Sequence, residues 1–212
     1  MEFDSLLNLV NDDPVFESSL LLSGNINPQI VRLQLSRWVN SGRIYQLRRG
    51  LYSIAPPYQK INPHPYLVAN HLQKASYVSL QSALAYYGLI PEVMNITTSV
   101  STGRPERLET PLGIYDFRHL KTDLLFGYQM INLGDQSALV ATPEKALLDL
   151  IYLQSGGSST DYFNELRLQN LEQFDLELLQ KLSEKFGTPK TLNAVKEISR
   201  IIAEETSKFE DL

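Results

Sequence analysis

The stretch from residue 27 to residue 42 restricts the fold most strongly, because it marks both ends of one helix. Asn27-Pro28 is typical of a helix start, since an asparagine side chain caps the free amides of the first turn and proline fits the first helical position. Gly42 is typical of a stop, because glycine readily adopts the left-handed conformation that ends many helices. The sequence therefore predicts a helix from about Pro28 to Ser41.

A β-hairpin is predicted directly after this helix. Two short runs of aromatic and branched residues, 43–47 and 51–54, flank the basic turn Arg48-Arg49-Gly50. Such runs around a tight turn with glycine are typical of two paired strands. Pro56-Pro57 then ends the second strand.

Two shorter helices are predicted before residue 27. Residues 3–10 repeat apolar side chains at helical spacing. After the break Asn11-Asp12-Asp13-Pro14, a second helix is predicted from Val15 to Leu22, ending near Gly24. Three short helices followed by a hairpin is the layout of a winged helix-turn-helix. We therefore expect residues 1–57 to form such a DNA-binding domain.

The charge of the chain is unevenly distributed. The net charge is −5, which by itself argues against a nucleic-acid-binding protein. Residues 18–60 nevertheless hold six basic residues and no Asp or Glu, whereas the remainder holds 13 basic and 24 acidic residues. A local charge of +6 beside one of −11 creates a directed field. The basic block fits either a nucleic-acid surface or chance clustering on a solvated face.

The helix predicted over residues 28–41 has two different faces, because a helix turns about 100° per residue. Val31, Leu35 and Trp38 fall together on an apolar side, flanked by Ile30 and Val39. The opposite side is polar, with Leu33 at its border. The candidate DNA-binding residues belong to this polar side, the helix start and the hairpin turn: Asn27, Gln29, Arg32, Ser36, Arg37, Asn40, Arg48 and Arg49.

These residue types suit contacts with duplex DNA. Gln pairs well with adenine and Arg with guanine in the major groove, while Ser and Asn are adaptable. Asn27 at the helix start can hydrogen-bond a phosphate, and Arg48 and Arg49 would lie over the backbone or in the neighbouring minor groove. The alternative is a solvated helix face and a charged turn that protects a sheet edge. The combination of layout, polar face and missing acidic residues favours DNA.

The rest of the chain predicts a second domain. Residues 58–65 are rich in breaking residues and are expected to be a linker, and residues 66–212 mix helical and strand patterns. Predicted helices lie near residues 67–72, 80–87, 142–153, 162–168, 175–185 and 188–205, and predicted strands at 93–100, 114–120, 126–133 and 138–141. Ser79 is expected to cap the helix at 80–87. The fold class is therefore α+β, with a short mixed or antiparallel sheet and a helical tail from about residue 158.

Residues for catalysis and cofactor binding are scarce. The chain has no cysteine, no phosphate-binding loop and no nucleophile elbow, and its three histidines are not at metal-ligand spacing. Asp135, Glu144, Lys145 and Asp149 could together serve a metal-dependent nuclease. The simpler interpretation places Glu144 at a helix start, Lys145 in solvent or a surface ion pair, and Asp149 in water or paired. We expect no catalytic site, no metal and no cofactor.

A cytoplasmic location without a membrane partner is expected. No apolar run approaches the roughly 18–20 residues of a membrane-spanning helix. The acidic start Met1-Glu2-Phe3-Asp4 lacks the basic region of a signal peptide.

Three blocks of the chain resemble the AbiEi family of antitoxins. Ser79–Pro91 (SLQSALAYYGLIP) and Ala141–Leu150 (ATPEKALLDL) resemble two blocks of that family, and Arg49-Gly50-Leu51-Tyr52 resembles part of its winged-helix block. The blocks follow the family's order and span roughly residues 25–155. The resemblance implies an abortive-infection antitoxin of a type IV toxin–antitoxin system, which represses its own promoter and pairs with a nucleotidyltransferase toxin.

The resemblance also implies how the two predicted domains divide the work. The helix at 28–41 and the hairpin would bind the promoter, with two copies on two half-sites, and the C-terminal domain would act against the toxin. Arg104, Arg107 and Lys121 are candidate exposed residues for that role. Two alternatives stay open: a one-component regulator whose C-terminal domain senses a small ligand, and a nuclease targeted by the winged helix.

Overall fold

A computed structural model describes residues 1–22, 27–92 and 94–210. The structure is a mixed α+β fold, with helices packed on two sheets and its buried apolar side chains in two hydrophobic clusters. The smaller cluster belongs to residues 3–54 and the larger one draws mainly on residues 68–198.

The N-terminal unit, the described part of residues 1–57, pairs two α-helices and a 3₁₀ helix with a small sheet. Its elements in chain order are α1 (Phe3–Val10), β1 (Phe16–Glu17), a 3₁₀ helix (Ser18–Leu22), α2 (Pro28–Asn40), β2 (Ile44–Arg48) and β3 (Leu51–Ile54). The strands are antiparallel in the order β1-β3-β2. Both helices bury apolar side chains in the smaller cluster, which contains Leu6, Leu35 and Trp38. Thus α1, α2 and the hairpin lie where the sequence predicts them.

The helix predicted from Val15 to Leu22 is wrong, because this segment forms β1 and the 3₁₀ helix instead. Phe16 pairs with Tyr52 of β3, and the Ser18 amide donates to the carbonyl of Gly50 at 2.8 Å. Pairing with β3 satisfies the backbone and buries Phe16, so a tertiary partner outweighs the local helical spacing. The predicted end near Gly24 lies outside the described residues.

The C-terminal unit, the described part of residues 65–210, is larger. Its helices are α3 (Pro65–Leu72), α4 (Leu80–Tyr86), α5 (Pro143–Leu153), α6 (Thr160–Leu166), α7 (Leu176–Phe186) and α8 (Pro189–Glu210). Its strands are β4 (Ser76–Val78), β5 (Ile96–Ser101), β6 (Glu106–Thr110), β7 (Gly113–His119), β8 (Tyr128–Leu133) and β9 (Gln136–Ala141). The helices and the longer strands lie close to their predicted positions. The strand predicted over 93–100 begins at Ile96, and Val93 lies outside the described residues.

The sheet of the C-terminal unit is mixed, in the order β6-β7-β5-β4-β9-β8. The pairs β4–β9 and β5–β7 are parallel and the other neighbours are antiparallel. The sequence does not predict β4 or β6. The first has only three residues, and the second is an edge strand whose polar run ERLET lacks the apolar alternation of a half-buried strand.

Helix α5 lies at the centre of the C-terminal unit. Residues 144–151 are all buried, and α4, α7 and α8 pack against this helix. Leu179 of α7 and Val195 of α8 belong to the larger hydrophobic cluster. The helical tail is therefore part of the core that holds α5.

The two units are in direct contact. Val15, Leu47 and Leu51 come from the N-terminal unit but are buried in the larger cluster. The segment 58–65, predicted as a linker, is hydrogen-bonded on both sides: the Lys60 ammonium donates to Asn11 Oδ1 at 3.1 Å, and the His64 amide donates to Gln136 Oε1 at 2.8 Å. These hydrogen bonds hold the segment 58–65 against both units.

Candidate nucleic-acid interface

The two faces of α2 differ sharply in burial. Val31, Leu35 and Trp38 are buried in the smaller cluster, as the sequence predicts. The predicted DNA-binding side chains of the opposite face are all exposed: Gln29, Arg32, Ser36, Arg37 and Asn40. The apolar side therefore anchors the helix while the polar side faces solvent.

The start of α2 is capped as the sequence predicts. Asn27 Oδ1 accepts the Gln29 amide at 2.9 Å, and Pro28 occupies the first helical position. The cap uses the side-chain oxygen of Asn27. Its side-chain NH₂ group is exposed and is left to donate to a phosphate.

Two apolar side chains lie beside the polar face of α2. Ile30 is 61% exposed and Leu33 is 54% exposed. Val31 enters the smaller cluster, whereas Ile30, which flanks the apolar side, lines a cavity of about 200 Å³ together with Leu21 and Trp38. Exposed aliphatic groups on such a face can contact thymine methyl groups.

Three of the four predicted arginines have neither an ion-pair partner nor a side-chain hydrogen bond within the described residues: Arg32, Arg37 and Arg49. The guanidinium group stays charged at any ordinary pH and presents five N–H donors in a planar fork. These three side chains are exposed. They are consequently free to donate to phosphates or base edges.

Arg48 differs from the other predicted arginines. Its Nη1 donates to the backbone carbonyl of Leu72 at 2.6 Å, at the end of α3. The side chain is exposed, so its remaining donors face solvent. Arg48 therefore joins the hairpin to the C-terminal unit, which the sequence does not predict.

A second group of functional residue types lies inside the C-terminal unit. Lys145 and Asp149, one turn apart on α5, form an ion pair with no exposed side-chain surface. The Lys145 ammonium also donates to the Tyr77 hydroxyl at 2.7 Å, and the Tyr77 and Ser79 hydroxyls donate to Asp149 Oδ2 at 3.0 and 2.8 Å. Every polar atom of this cluster thus finds a partner within it. The prediction that Lys145 lies in solvent or in a surface ion pair is wrong, because its side chain is fully buried.

Burial dominates the electrostatics of this cluster. Desolvation raises the pKa of Asp149 and lowers the pKa of Lys145, and their mutual attraction opposes both shifts. Burial and the neighbouring Asp149 carboxylate also raise the pKa of Tyr77. The rings of Phe126 and Phe186 close over the ammonium, with centroids at 4.9 and 4.7 Å.

The geometry does not arrange these groups for nuclease chemistry. Lys145 and Asp149 have no surface through which a polynucleotide could reach them. Glu144 is 3% exposed, and its Oε1 accepts the backbone amide of Asp175 at 3.0 Å. Asp135 is exposed in the turn between β8 and β9. Within the described residues, no cluster of three or more His, Asp or Glu side chains is arranged to hold a metal ion.

Ser79 has a different role from the predicted one. It occupies the N-cap position of α4, but its hydroxyl makes no capping hydrogen bond and instead donates to Asp149. Tyr77 and Ser79 are the partners that sequence reasoning missed in this cluster. The signal available was the i,i+4 spacing of Lys145, directly before the mostly apolar run ALLDLIYL, and Asp149 inside that run.

The surface candidates of the C-terminal unit lie near the β6 edge of the sheet. Arg104, Arg107 and Lys121 are exposed. Arg107 pairs in register with Asp116 of β7, and both line a cleft of about 200 Å³ together with Arg118. This cleft carries two basic groups and one acidic group, which suits a small polar molecule or a polar protein surface.

No protein-family model matches this chain, and no curated protein matches it significantly. Within the described residues, no helix is long and apolar enough to cross a membrane.

Proposed function

We propose that this protein is a DNA-binding transcriptional regulator whose N-terminal unit is a winged helix. The observation that carries the proposal is the exposed polar face of α2, where Arg32 and Arg37 have no ion-pair partner in the described part of the chain. This face lies within the 43 residues, 18–60, that contain no Asp or Glu. Phosphates are strongly attracted to such a surface.

The arrangement of the N-terminal unit supports this proposal. A winged helix has a helix, a short strand, a second helix, a third helix that reads the DNA, and a hairpin, with the first strand beside the last. The order α1, β1, 3₁₀ helix, α2, β2, β3 and the strand order β1-β3-β2 agree with that layout. The 3₁₀ helix would then take the place of the second helix of the motif.

In this proposal α2 lies in the major groove. Its N-terminal half would direct Gln29 and Arg32 at base edges, while Ser36, Arg37 and Asn40 extend the contact along the groove. Arg49 at the hairpin turn would contact the backbone or the adjacent minor groove. Phosphate contacts set the position of the protein, and the base contacts set its sequence preference.

We further propose that the regulator is an antitoxin, on the strength of its resemblance to the AbiEi family. Two of the resembling blocks fall on α4 and α5, which pack together in the C-terminal unit and are largely buried. These blocks therefore describe a scaffold, and a toxin would contact its exposed surface. A nucleotidyltransferase gene beside this one would support the antitoxin, and co-expression of the full chain should restore growth to cells that express that enzyme.

The cleft lined by Arg107, Asp116 and Arg118 favours one alternative, a one-component regulator that senses a small polar ligand. The neighbouring gene discriminates between the two, because a metabolic operon would favour the sensor. Both alternatives share the DNA-binding step, so that step is tested first.

The decisive experiment is fluorescence anisotropy of the purified protein on the DNA upstream of its own gene, with a scrambled duplex as control, over a salt series. We expect the upstream duplex to bind more tightly, with an affinity that falls steeply as salt rises. Equal binding to both duplexes, or none at low salt, would contradict the proposal.

Arg32→Ala tests the orientation of α2. Removing a bidentate contact to a base should weaken binding to the upstream duplex by about 1–3 kcal/mol and relax the preference at one base position. Lys181→Ala, at an exposed lysine of α7, is the matched control and should bind like the wild type. If Arg32→Ala also binds like the wild type, α2 does not contact the bases as proposed.

A further inference from the structure

We propose that the junction of the two units forms a second DNA-binding site, a groove that holds the phosphodiester backbone and includes Lys74 of the C-terminal unit. The proposal rests on the function proposed above and extends the DNA surface beyond the winged helix. The groove has a volume of about 430 Å³ and lies between the hairpin turn and the end of α3.

Charge favours an anionic occupant of this groove. Arg48 and Arg49 line one wall, and Lys74 lies on the opposite wall with His71. The Lys74 side chain is 85% exposed. Burial lowers the pKa of His71, so its imidazole is neutral at pH 7 and would contribute a hydrogen bond rather than charge. Three cations thus surround a space that a backbone phosphate can enter.

The walls of the groove are held in place before any ligand binds. Arg48 donates to the carbonyl of Leu72 at 2.6 Å, which joins the hairpin to α3. The Ser18 amide donates to the carbonyl of Gly50 at 2.8 Å, which joins the 3₁₀ helix to the hairpin turn. A site that is already assembled loses little conformational entropy on binding.

The acidic residue in the groove is Glu17. It forms an ion pair with Lys74 at 3.3 Å, and the two side chains are 49% and 85% exposed. The hydrogen bond from Lys74 lowers the pKa of Glu17, so its carboxylate is charged at pH 7. Exposed ion pairs of this kind are weak. Lys74 can therefore exchange Glu17 for a phosphate, and Glu17 itself opposes DNA.

The groove is continuous with the proposed reading helix. The 3₁₀ helix Ser18–Leu22 packs against α2, and its residues Ser18 and Ser19 line the groove. The Ser18 hydroxyl can donate to a phosphate oxygen. The Ser19 hydroxyl donates to Glu17 Oε2 at 3.2 Å and can exchange this exposed partner for a phosphate. A duplex seated on α2 would consequently extend towards Lys74, and the C-terminal unit would contribute to affinity although its net charge is negative.

Lys74→Ala tests the proposal in the same anisotropy assay. We expect a several-fold loss of affinity that is equal for the upstream and scrambled duplexes, and a salt dependence reduced by about one unit of slope. Glu17→Gln removes the opposing carboxylate and should increase the affinity for both duplexes. Lys181→Ala should change neither quantity, and unchanged circular dichroism will show that the variants fold.

Cross-linking locates the contact independently of affinity. The chain has no cysteine, so Lys74→Cys and Lys181→Cys each provide one attachment point for a maleimide photo-cross-linker. We expect the probe at residue 74 to cross-link to the duplex and the probe at residue 181 to give no adduct.

The outcomes separate the two proposals. The proposed function stands if the wild type binds DNA and Arg32→Ala weakens that binding. The groove proposal is overturned if, in the same experiments, Lys74→Ala binds like the wild type and the probe on Lys74→Cys gives no adduct. If the wild type does not bind DNA, both are overturned.

Discussion

The Lys145–Asp149 ion pair is a costly feature of the C-terminal unit. Both charges are removed from water on a helix whose neighbouring residues are buried and mostly apolar. Desolvating two ions costs several kcal/mol each, and their attraction offsets this only with good hydrogen bonding. The hydroxyls of Tyr77 and Ser79 supply that hydrogen bonding. The four residues therefore depend on one another, and they tie α5 to β4.

Lys145→Met should lower the free energy of unfolding by about 3–5 kcal/mol, because it leaves the Asp149 carboxylate buried without its counter-charge. The measurement is urea denaturation at pH 7, with Lys181→Met at an exposed position as control. A loss below about 1 kcal/mol would show that Asp149 gains water or a proton at little cost. Adding Asp149→Leu should recover part of the loss, since no charge is then buried.

The same variant should show a characteristic dependence on pH. Without the ammonium, burial raises the pKa of Asp149 against only the hydrogen bonds from Ser79 and Tyr77, so the folded state favours the protonated carboxyl. The destabilisation should be smallest below the ordinary Asp pKa of about 3.9 and should grow as the pH rises through and above it. A destabilisation that is constant between pH 3 and pH 7 would contradict this assignment.

Helix α2 packs on the core with one face and exposes polar side chains on the other, and both of its ends are fixed by local structure. Its start is closed by the Asn27 cap, and its end turns into the hairpin through Gly42, whose φ is +70° and whose amide donates to the carbonyl of Val39 at 3.0 Å. The helix can expose polar residues along one face because its ends and its apolar side, rather than that face, hold it in place. The direction of the hairpin relative to α2 depends on Gly42.

Gly42→Ala should destabilise the protein by about 1–2 kcal/mol, the cost of a left-handed conformation for a residue with a Cβ. No described atom lies within 4 Å of a Cβ built there, so the loss is conformational rather than steric. Gly42→Asn should cost less, because asparagine tolerates this region better. Thermal and urea unfolding of both variants provide the comparison, and equal losses would point to a clash instead.

The whole molecule is organised around the contact between its two units. Val15, Leu47 and Leu51 of the N-terminal unit are buried in the cluster of the C-terminal unit, and Arg48 is hydrogen-bonded to Leu72. The segment 58–65 is hydrogen-bonded to both units. Because these contacts bury apolar surface from both sides, each unit stabilises the other. We therefore expect the chain to unfold as one cooperative body.

Trp38 makes this expectation measurable. It is the single tryptophan of the sequence and is buried in the smaller cluster, so its fluorescence reports the N-terminal unit alone. Far-UV circular dichroism reports mainly the helices of the C-terminal unit. The two signals should give coincident urea transitions, and Leu47→Ala at the contact should separate them. Separate transitions in the wild type would show that the units fold independently.

Local sequence signals determined most of the elements and the two faces of α2. Caps, glycine stops and apolar periodicity act within a few residues, and so α1, α2, the hairpin and the helices of the tail could be predicted. Contacts between distant residues decided the rest. Phe16 and Glu17 form a strand because β3 offers them a partner, and Lys145 is buried because Tyr77 and Phe186 enclose it. Lys74 joins a basic groove because α3 packs beside the hairpin. The free energies of burial and pairing in these cases depend on residues far away in the chain, and no local pattern contains them.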